Sequence, residues 1–267
     1  MATIISRMTL ILYISTLIII ATGCFILGFH VLLRDRFSRI NRLFFINSIL
    51  LNGVILFMVF IQLAHEEKTA EFIQGIYNIL LILFLLESLY FNLVFTGRRL
   101  NILIKVILAL LASVVFTLFI FKSGEFLHLT RNRDLWVYEL INLNFWFILY
   151  SPLLATIVFL MLHTLYCYSK NALSNKEKKQ AGVMMISILL ACSTGFCFLM
   201  IMPLVDAFRV PLLTPYFFAV YLFGVFFAIT RYRFMVFGIK DIAQDALSFI
   251  NDMVIIAGRD RRILDMN

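Results

Sequence analysis

Charge is what this chain has least of. Only 14% of its 267 residues are Asp, Glu, Lys or Arg, against 63% apolar residues, and mean hydropathy is +0.99. A water-soluble domain carries roughly a quarter charged residues, so a soluble class is excluded. Lipid must be the solvent for much of the Leu, Ile and Phe. Cysteine is scarce as well. Cys24, Cys167, Cys192 and Cys197 lie in or beside apolar segments and form no CxxC pair; small-residue packing is their reading, and they say nothing of redox compartment. A glycine-rich phosphate loop, a Walker motif and a metal-spaced His/Cys cluster are all missing, as are fixed-period repeats and low-complexity linkers. No catalytic group, metal or cofactor is implied.

What is there is seven apolar runs, at 8–33, 43–64, 72–95, 102–121, 140–168, 181–205 and 215–229. Backbone groups in hydrocarbon must be satisfied within the segment, which makes each run a helix; no period-2 alternation suggests a barrel. The expected fold is all-α, a polytopic seven-transmembrane helix bundle over 1–238. A short linker helix over 239–252 and an incomplete β-hairpin over 253–267 follow it.

Basic residues fix the expected orientation. One set of connections holds Arg34, Arg36, Arg39, Arg42, Arg98, Arg99, Lys105, Lys170, Lys176, Lys178, Lys179, Arg231, Arg233 and Lys240, which is 14. The alternate set holds 6, diluted by acidic residues such as Glu66, Glu67, Glu71 and Asp134. Positive residues stay inside, so the N-terminus is expected outside and the C-terminus in the cytoplasm. The formal charge of +8 is then a topology signal and needs no nucleic-acid partner. Ala21-Thr22-Gly23-Cys24 resembles a lipoprotein cleavage site, but cleavage there would invert every later loop against this charge pattern.

Beyond the seventh run, Ile239, Ile242, Ala246, Phe249 and Met253 recur at alternating three- and four-residue steps, the seam of a coiled coil. Then come Val254-Ile255-Ile256, a turn-like Gly258-Arg259-Asp260, and Ile263-Leu264-Asp265-Met266-Asn267. Two strands alone are marginally stable, so the natural protein is expected to continue. Ala228-Ile229-Thr230-Arg231-Tyr232-Arg233-Phe234, Asp245-Ala246-Leu247-Ser248-Phe249-Ile250-Asn251-Asp252 and Arg262-Ile263-Leu264-Asp265-Met266-Asn267 together resemble one known junction. It joins the N-terminal seven-helix region of bacterial sensor histidine kinases to the PAS domain behind it. Met253 and Gly258 stand where that family usually has glycine and aspartate. The resemblance implies a membrane sensory module of a two-component system in the bacterial inner membrane. It also implies a homodimer and a response-regulator partner reached through a kinase domain that this chain does not contain.

Polar residues inside apolar runs are costly and tend to be functional. Laid along the inferred helix directions, they form two layers. The inner layer gathers His30, Asn47, Asn52, Glu87, Asn92 and His163 as a candidate polar switch. At roughly 1.5 Å per residue, Glu87 lies ~12 Å from Phe95 and Asn52 ~13 Å from Leu43, so their depths match. A lone carboxylate such as Glu87 is expected paired or neutral there; the alternative is a static interhelical cluster. The outer layer is a candidate pocket for a small-molecule or lipophilic ligand. Tyr138, Asn142, Trp146 and Tyr150 recur at four-residue steps on one helical face. Gln74, Tyr77 and Asn78 on the third run and Tyr216 and Tyr221 on the seventh lie at similar depth. An interfacial aromatic belt, Trp136 included, is the alternative. Signal exit falls to Arg231 and Arg233, which pin the seventh helix to lipid phosphates, and to the seam of Ile242, Ala246 and Phe249.

Other output classes compete. The same module could precede a diguanylate cyclase. A transporter would show inverted repeats and several intramembrane charges. A retinal photoreceptor needs a lysine in the last helix, and none occurs between Val210 and Ile239. The topology carries a first prediction: membrane-impermeant thiol reagents reach cysteines placed near Lys68 and Arg131 from outside, but not near Lys178. The reverse labelling pattern sinks it.

Overall fold

A computed structural model of the chain describes residues 2–99, 101–117 except 103, 104, 107, 111 and 115, and then 127–132, 135–140, 151–172, 174–196, 213–231, 255–257 and 263–266. Within these stand helices α1 (Ala2–Arg34), α2 (Arg39–Leu63), α3 (Glu67–Thr96), α4 (Ser151–Asn171), α5 (Asn175–Phe196) and α6 (Thr214–Arg231). Strands β1 (Leu127–Asn132) and β2 (Leu135–Leu140) form one antiparallel pair, β3 (Ile255–Ala257) and β4 (Ile263–Met266) another. Among the described residues five helices are long and apolar enough to cross a membrane: α1 from Met8, α2, α3, α4 from Pro152, and α6. The chain is a predominantly helical membrane protein.

Five rather than seven has a plain origin. The α5 helix opens on Asn175, Lys176, Glu177, Lys178 and Lys179, and its apolar continuation to 205 lies outside the described residues. The run 102–121 is helical at every described position from 102 to 117 but is not continuous among them. A second departure concerns the segment before α4. Leu135-Trp136-Val137-Tyr138-Glu139-Leu140 is a strand, paired in register from Leu127↔Leu140 to Asn132↔Leu135. Tyr138 therefore does not start a helical stripe. Its neighbours are aromatic and β-branched, the composition that suits a pleated, half-buried surface.

Local chemistry sets the helix ends. Asp35 accepts hydrogen bonds from the amides of Phe37 (3.0 Å) and Ser38 (3.2 Å), turning the chain from α1 into α2. The α3 helix ends at Gly97, whose φ of 65° needs no Cβ to be accommodated. The Arg98 amide then reaches back to the Leu93 carbonyl at 3.0 Å. Ser174 and Glu177 make a reciprocal capping box at the start of α5, at 3.2 and 3.3 Å.

Each helix packs on the next in the order α1, α2, α3, α4, α5, α6, and α6 returns to α1, with a further contact to α2. The basic ends gather together. Arg39 of α2 donates to the Tyr90 hydroxyl of α3, Phe95 meets Tyr168 of α4 at 5.5 Å, and Gln180 of α5 donates to the Ala228 carbonyl of α6 at 3.2 Å. The β1–β2 pair sits at the other end, against α3 and α2.

The helices wear their apolar residues outward. Ile11, Leu12, Ile19, Phe60, Phe159 and Phe223 are exposed, while Asn47, Ser48, Gln62, Gln74, Asn78, Asn92 and Gln180 are buried. In water that arrangement would be unstable; in lipid it is the favourable one. Small residues let the backbones approach. A methyl added at Gly28 of α1 would overlap the Ser48 side chain of α2, and one at Gly224 of α6 would overlap that of Ser187 on α5. Glycine and serine are how helices associate where no hydrophobic effect drives them together. Gly224→Val should lower bundle stability by about 1–3 kcal/mol. Gly224→Ala paired with Ser187→Gly should recover most of the loss, read by denaturant unfolding in mixed micelles. A neutral Gly224→Val would show that α5 and α6 do not touch there.

Candidate functional site

One face of α3 carries a buried polar stripe along the length of the bundle. Gln74, Tyr77 and Asn78 lie on it toward the strand end; Ser88 and Asn92 continue it toward the basic end. Spacings of three and four residues keep them on one side. Between the groups, Phe84 reaches α6 and packs edge-on against Phe218 at 5.1 Å and Tyr221 at 6.3 Å. The site is thus a seam between α3 and α6 with an aromatic waist.

Toward the strand end, Thr214 and Tyr216 from α6 and Tyr13 and Thr16 from α1 join the three α3 residues. The Tyr13 and Tyr216 rings are 6.3 Å apart, and the Thr16 and Tyr216 hydroxyls share a hydrogen bond of 2.6 Å. The Tyr77 hydroxyl neighbours that of Thr214. The two hydroxyls are within hydrogen-bonding reach of each other without a well-aligned bond, and Gln74 Nε2 and Oε1 and Asn78 Nδ2 have no partner among the described residues. All four side chains are at most 3% exposed. Buried polar atoms are almost always partnered, so the three open amide atoms of Gln74 and Asn78, beside that hydroxyl pair, mark a place where something else supplies the partners.

Toward the basic end the cluster is partly closed. Ser88 Oγ donates to Asn47 Oδ1 at 3.1 Å, and Asn92 Nδ2 donates to the Ser88 carbonyl at 3.3 Å. Asn92 Oδ1 and both Glu87 carboxyl oxygens are without partners among the described residues, and the Tyr221 hydroxyl has Ser88 and Asn47 within reach without a well-aligned bond. Tyr221 lies beside Ser88, Glu87, Asn47 and Cys192. It therefore belongs to the inner layer and not, as expected, to the outer one. Asn52 turns along its own helix to the Ser48 carbonyl at 2.9 Å.

Two expected members stay out. His30 is exposed, its ring edge-on to Phe226 at 6.1 Å. His163 is exposed too, stacked on Phe159 at 5.9 Å and 3.7 Å from the Cys167 sulfur. The buried stripes of their helices run through Leu17, Ala21, Cys24 and Val31, and through Ile157, Met161 and Leu165. Both histidines fall between those positions. Arg231 is exposed at the last residue of α6. Asn142, Trp146, Tyr150, Arg233, Ile242, Ala246 and Phe249 lie outside the described residues.

Sequence reasoning missed a latch at the strand end. Gln62 Nε2 donates to the Trp136 carbonyl at 3.0 Å, the Trp136 amide donates to Gln62 Oε1 at 3.0 Å, and the indole Nε1 donates to the Ala64 carbonyl at 2.9 Å. Trp136 is no belt residue: it is 4% exposed and ties β2 to the end of α2. The available signal was a glutamine one residue inside a helix end. Thr214 and Ser88 were passed over because hydroxyls are common in membrane helices and carry no spacing signature.

Compared with protein-family models, curated proteins and solved structures, the chain gives no match. The geometry carries the argument alone. Its chemistry is hydrogen bonding to uncharged polar groups within an apolar bundle. The inner cluster yields a prediction: a double-mutant cycle on Asn47→Ala and Ser88→Ala should show a coupling of about 0.5–1.5 kcal/mol in unfolding free energy. Strict additivity would mean the bond contributes nothing.

Proposed function

We propose that this chain is the membrane sensory module of a bacterial two-component histidine kinase. In this reading it is a multi-pass inner-membrane protein of seven helices, N-terminus outside, and the α3–α6 seam binds a small or lipophilic signal. Asn142, Trp146 and Tyr150, which lie outside the described residues, are assigned to the same pocket from their spacing in the sequence. The carrying observation is the set of open amide atoms on Gln74 and Asn78, beside the Tyr77–Thr214 hydroxyl pair, buried at the end of the bundle opposite the basic residues. Pockets with a few convergent polar groups in apolar walls are how small ligands are held.

The relay follows from the same helices. A ligand at the strand end of the seam changes how α6 sits on α3. Arg231 and, by its place in the sequence, Arg233 mark the depth of α6 in the membrane, and the seam spacing of Ile242, Ala246 and Phe249, which lie outside the described residues, suits passing the change to a second copy of the chain. PAS and kinase domains downstream, and a response regulator, complete the path. Binding can shift a two-state bundle only as far as its affinity differs between the states, so residues at the seam must alter response and not merely abundance.

The test uses the full-length protein in its own cells, read as signal-dependent transcription of its target genes. Tyr77→Phe and Gln74→Leu should each shift the response midpoint about tenfold or more, since a lost buried hydrogen bond is worth roughly one such step. Membrane abundance should stay unchanged. A wild-type response from both variants sinks the sensory reading.

A further inference from the structure

The buried glutamines show how this bundle satisfies a carboxamide, and one of them is left open. Gln62 is matched on both sides by the backbone of Trp136, its Nε2 donating to the carbonyl and its Oε1 accepting from the amide, each at 3.0 Å. Gln180 places its Nε2 on the Ala228 carbonyl at 3.2 Å. Gln74 is 1% exposed, more deeply buried than either, and neither its Nε2 nor its Oε1 has a partner among the described residues. A carboxamide has one donor edge and one acceptor edge side by side. What satisfies both at once is an N–H and a carbonyl side by side: Trp136 offers Gln62 one from each of its two flanking peptides, and in a small molecule a primary amide carries both on one edge.

The surroundings narrow the chemistry further. Asn78 one turn along α3 adds an open N–H donor, and the Tyr77 and Thr214 hydroxyls add two groups that can donate or accept. None of the four carries a charge. Glu71, one turn toward the strand end, is half-buried and already engaged. The basic residues that flank α3 on the other side, Arg98 and Arg99, follow its far end. An anion or cation placed against Gln74 would leave water without a counter-charge to meet it, which is far more costly than burying a neutral amide whose hydrogen bonds are matched.

We infer that the Gln74 face binds a small uncharged ligand with an amide-type edge, a carbonyl oxygen beside an N–H. Gln74 reads that edge with both of its amide atoms, as Gln62 reads the adjacent N–H and carbonyl of the Trp136 backbone. Tyr77, Asn78 and Thr214 hold the remaining polar atoms, and the apolar part of the ligand lies along the aromatic waist at Phe84. This deepens the proposed function and rests on it only in taking the ligand to be the signal; the site itself stands on the geometry.

The test is thermal unfolding of the purified chain in lipid nanodiscs. The probes are straight-chain primary amides from acetamide to octanamide, each beside the alcohol and the carboxylate of the same length. At least one amide should raise the unfolding temperature saturably, with its alcohol and carboxylate giving about tenfold weaker apparent affinity or none. Gln74→Leu should abolish the amide response. Gln62→Leu should unfold at a lower temperature yet keep it, which separates a lost ligand contact from a weakened fold. Should Gln74→Leu fold poorly, Gln74→Met, close in shape and without the donor and acceptor edge, is expected to lose the response as well. An alcohol or carboxylate that stabilises as well as its amide overturns the inference. So does an amide series with no Gln74-dependent effect, the result if ordered water alone fills the seam. If the amide binds as described but Gln74→Leu leaves the cellular response intact, the site stands and the sensory reading falls.

Discussion

Hydrocarbon offers no hydrogen bonds, and the rest of this structure is organised around that fact. A polar side chain in a membrane helix must turn inward and find a partner or leave a group unsatisfied at a cost of several kcal/mol. Much of the bundle obeys it. Phe60, Phe159 and Phe223 face outward, while Asn47, Ser48, Gln62 and Gln180 are buried and bonded. Against that background the open amide atoms of Gln74 and Asn78 stand out, because they sit under the same constraint and do not meet it.

The seam they line is held from several sides. The α6 helix is pressed to α5 through Gly224 on Ser187 and through the Gln180 bond to the Ala228 carbonyl. Tyr216 ties its strand end to Thr16 on α1. A small change between α3 and α6 would therefore move α6 together with α5, not α6 alone. At the strand end, the Gln62–Trp136 pairing fixes β2 over α2. In interiors packed this closely, displacement passes between discrete arrangements rather than spreading smoothly.

Much of this was legible in the residues, and the failures have physical reasons. Hydropathy alone locates α1, α2, α3, α4 and α6, because a long apolar helix has few other meanings. Depth arithmetic places Asn47 and Asn92 in one layer, and Ser88 bonds to both. Depth says nothing of azimuth, however, and His30 and His163 went astray for that reason: a single residue's offset turns a side chain by about 100°. The β1–β2 pair was hidden by its own apolarity, since Leu135-Trp136-Val137-Tyr138 extends an apolar stretch as readily as it makes a strand. Ser174 and Glu177 spelled a capping box that the sequence could have yielded. The approaches of Gly28 to Ser48 and Gly224 to Ser187 could not be read, because each joins positions far apart in the chain.

The meeting of α3 and α6 is the claim on which the rest turns, and cross-linking in native membranes tests it most directly. With the four native cysteines replaced by alanine, Tyr77→Cys/Thr214→Cys should be joined efficiently by a short bismaleimide. Phe72→Cys/Thr214→Cys, which starts from the exposed side of α3, should not. Equal yields from the two pairs, or a higher yield from the second, would contradict a polar seam between these helices.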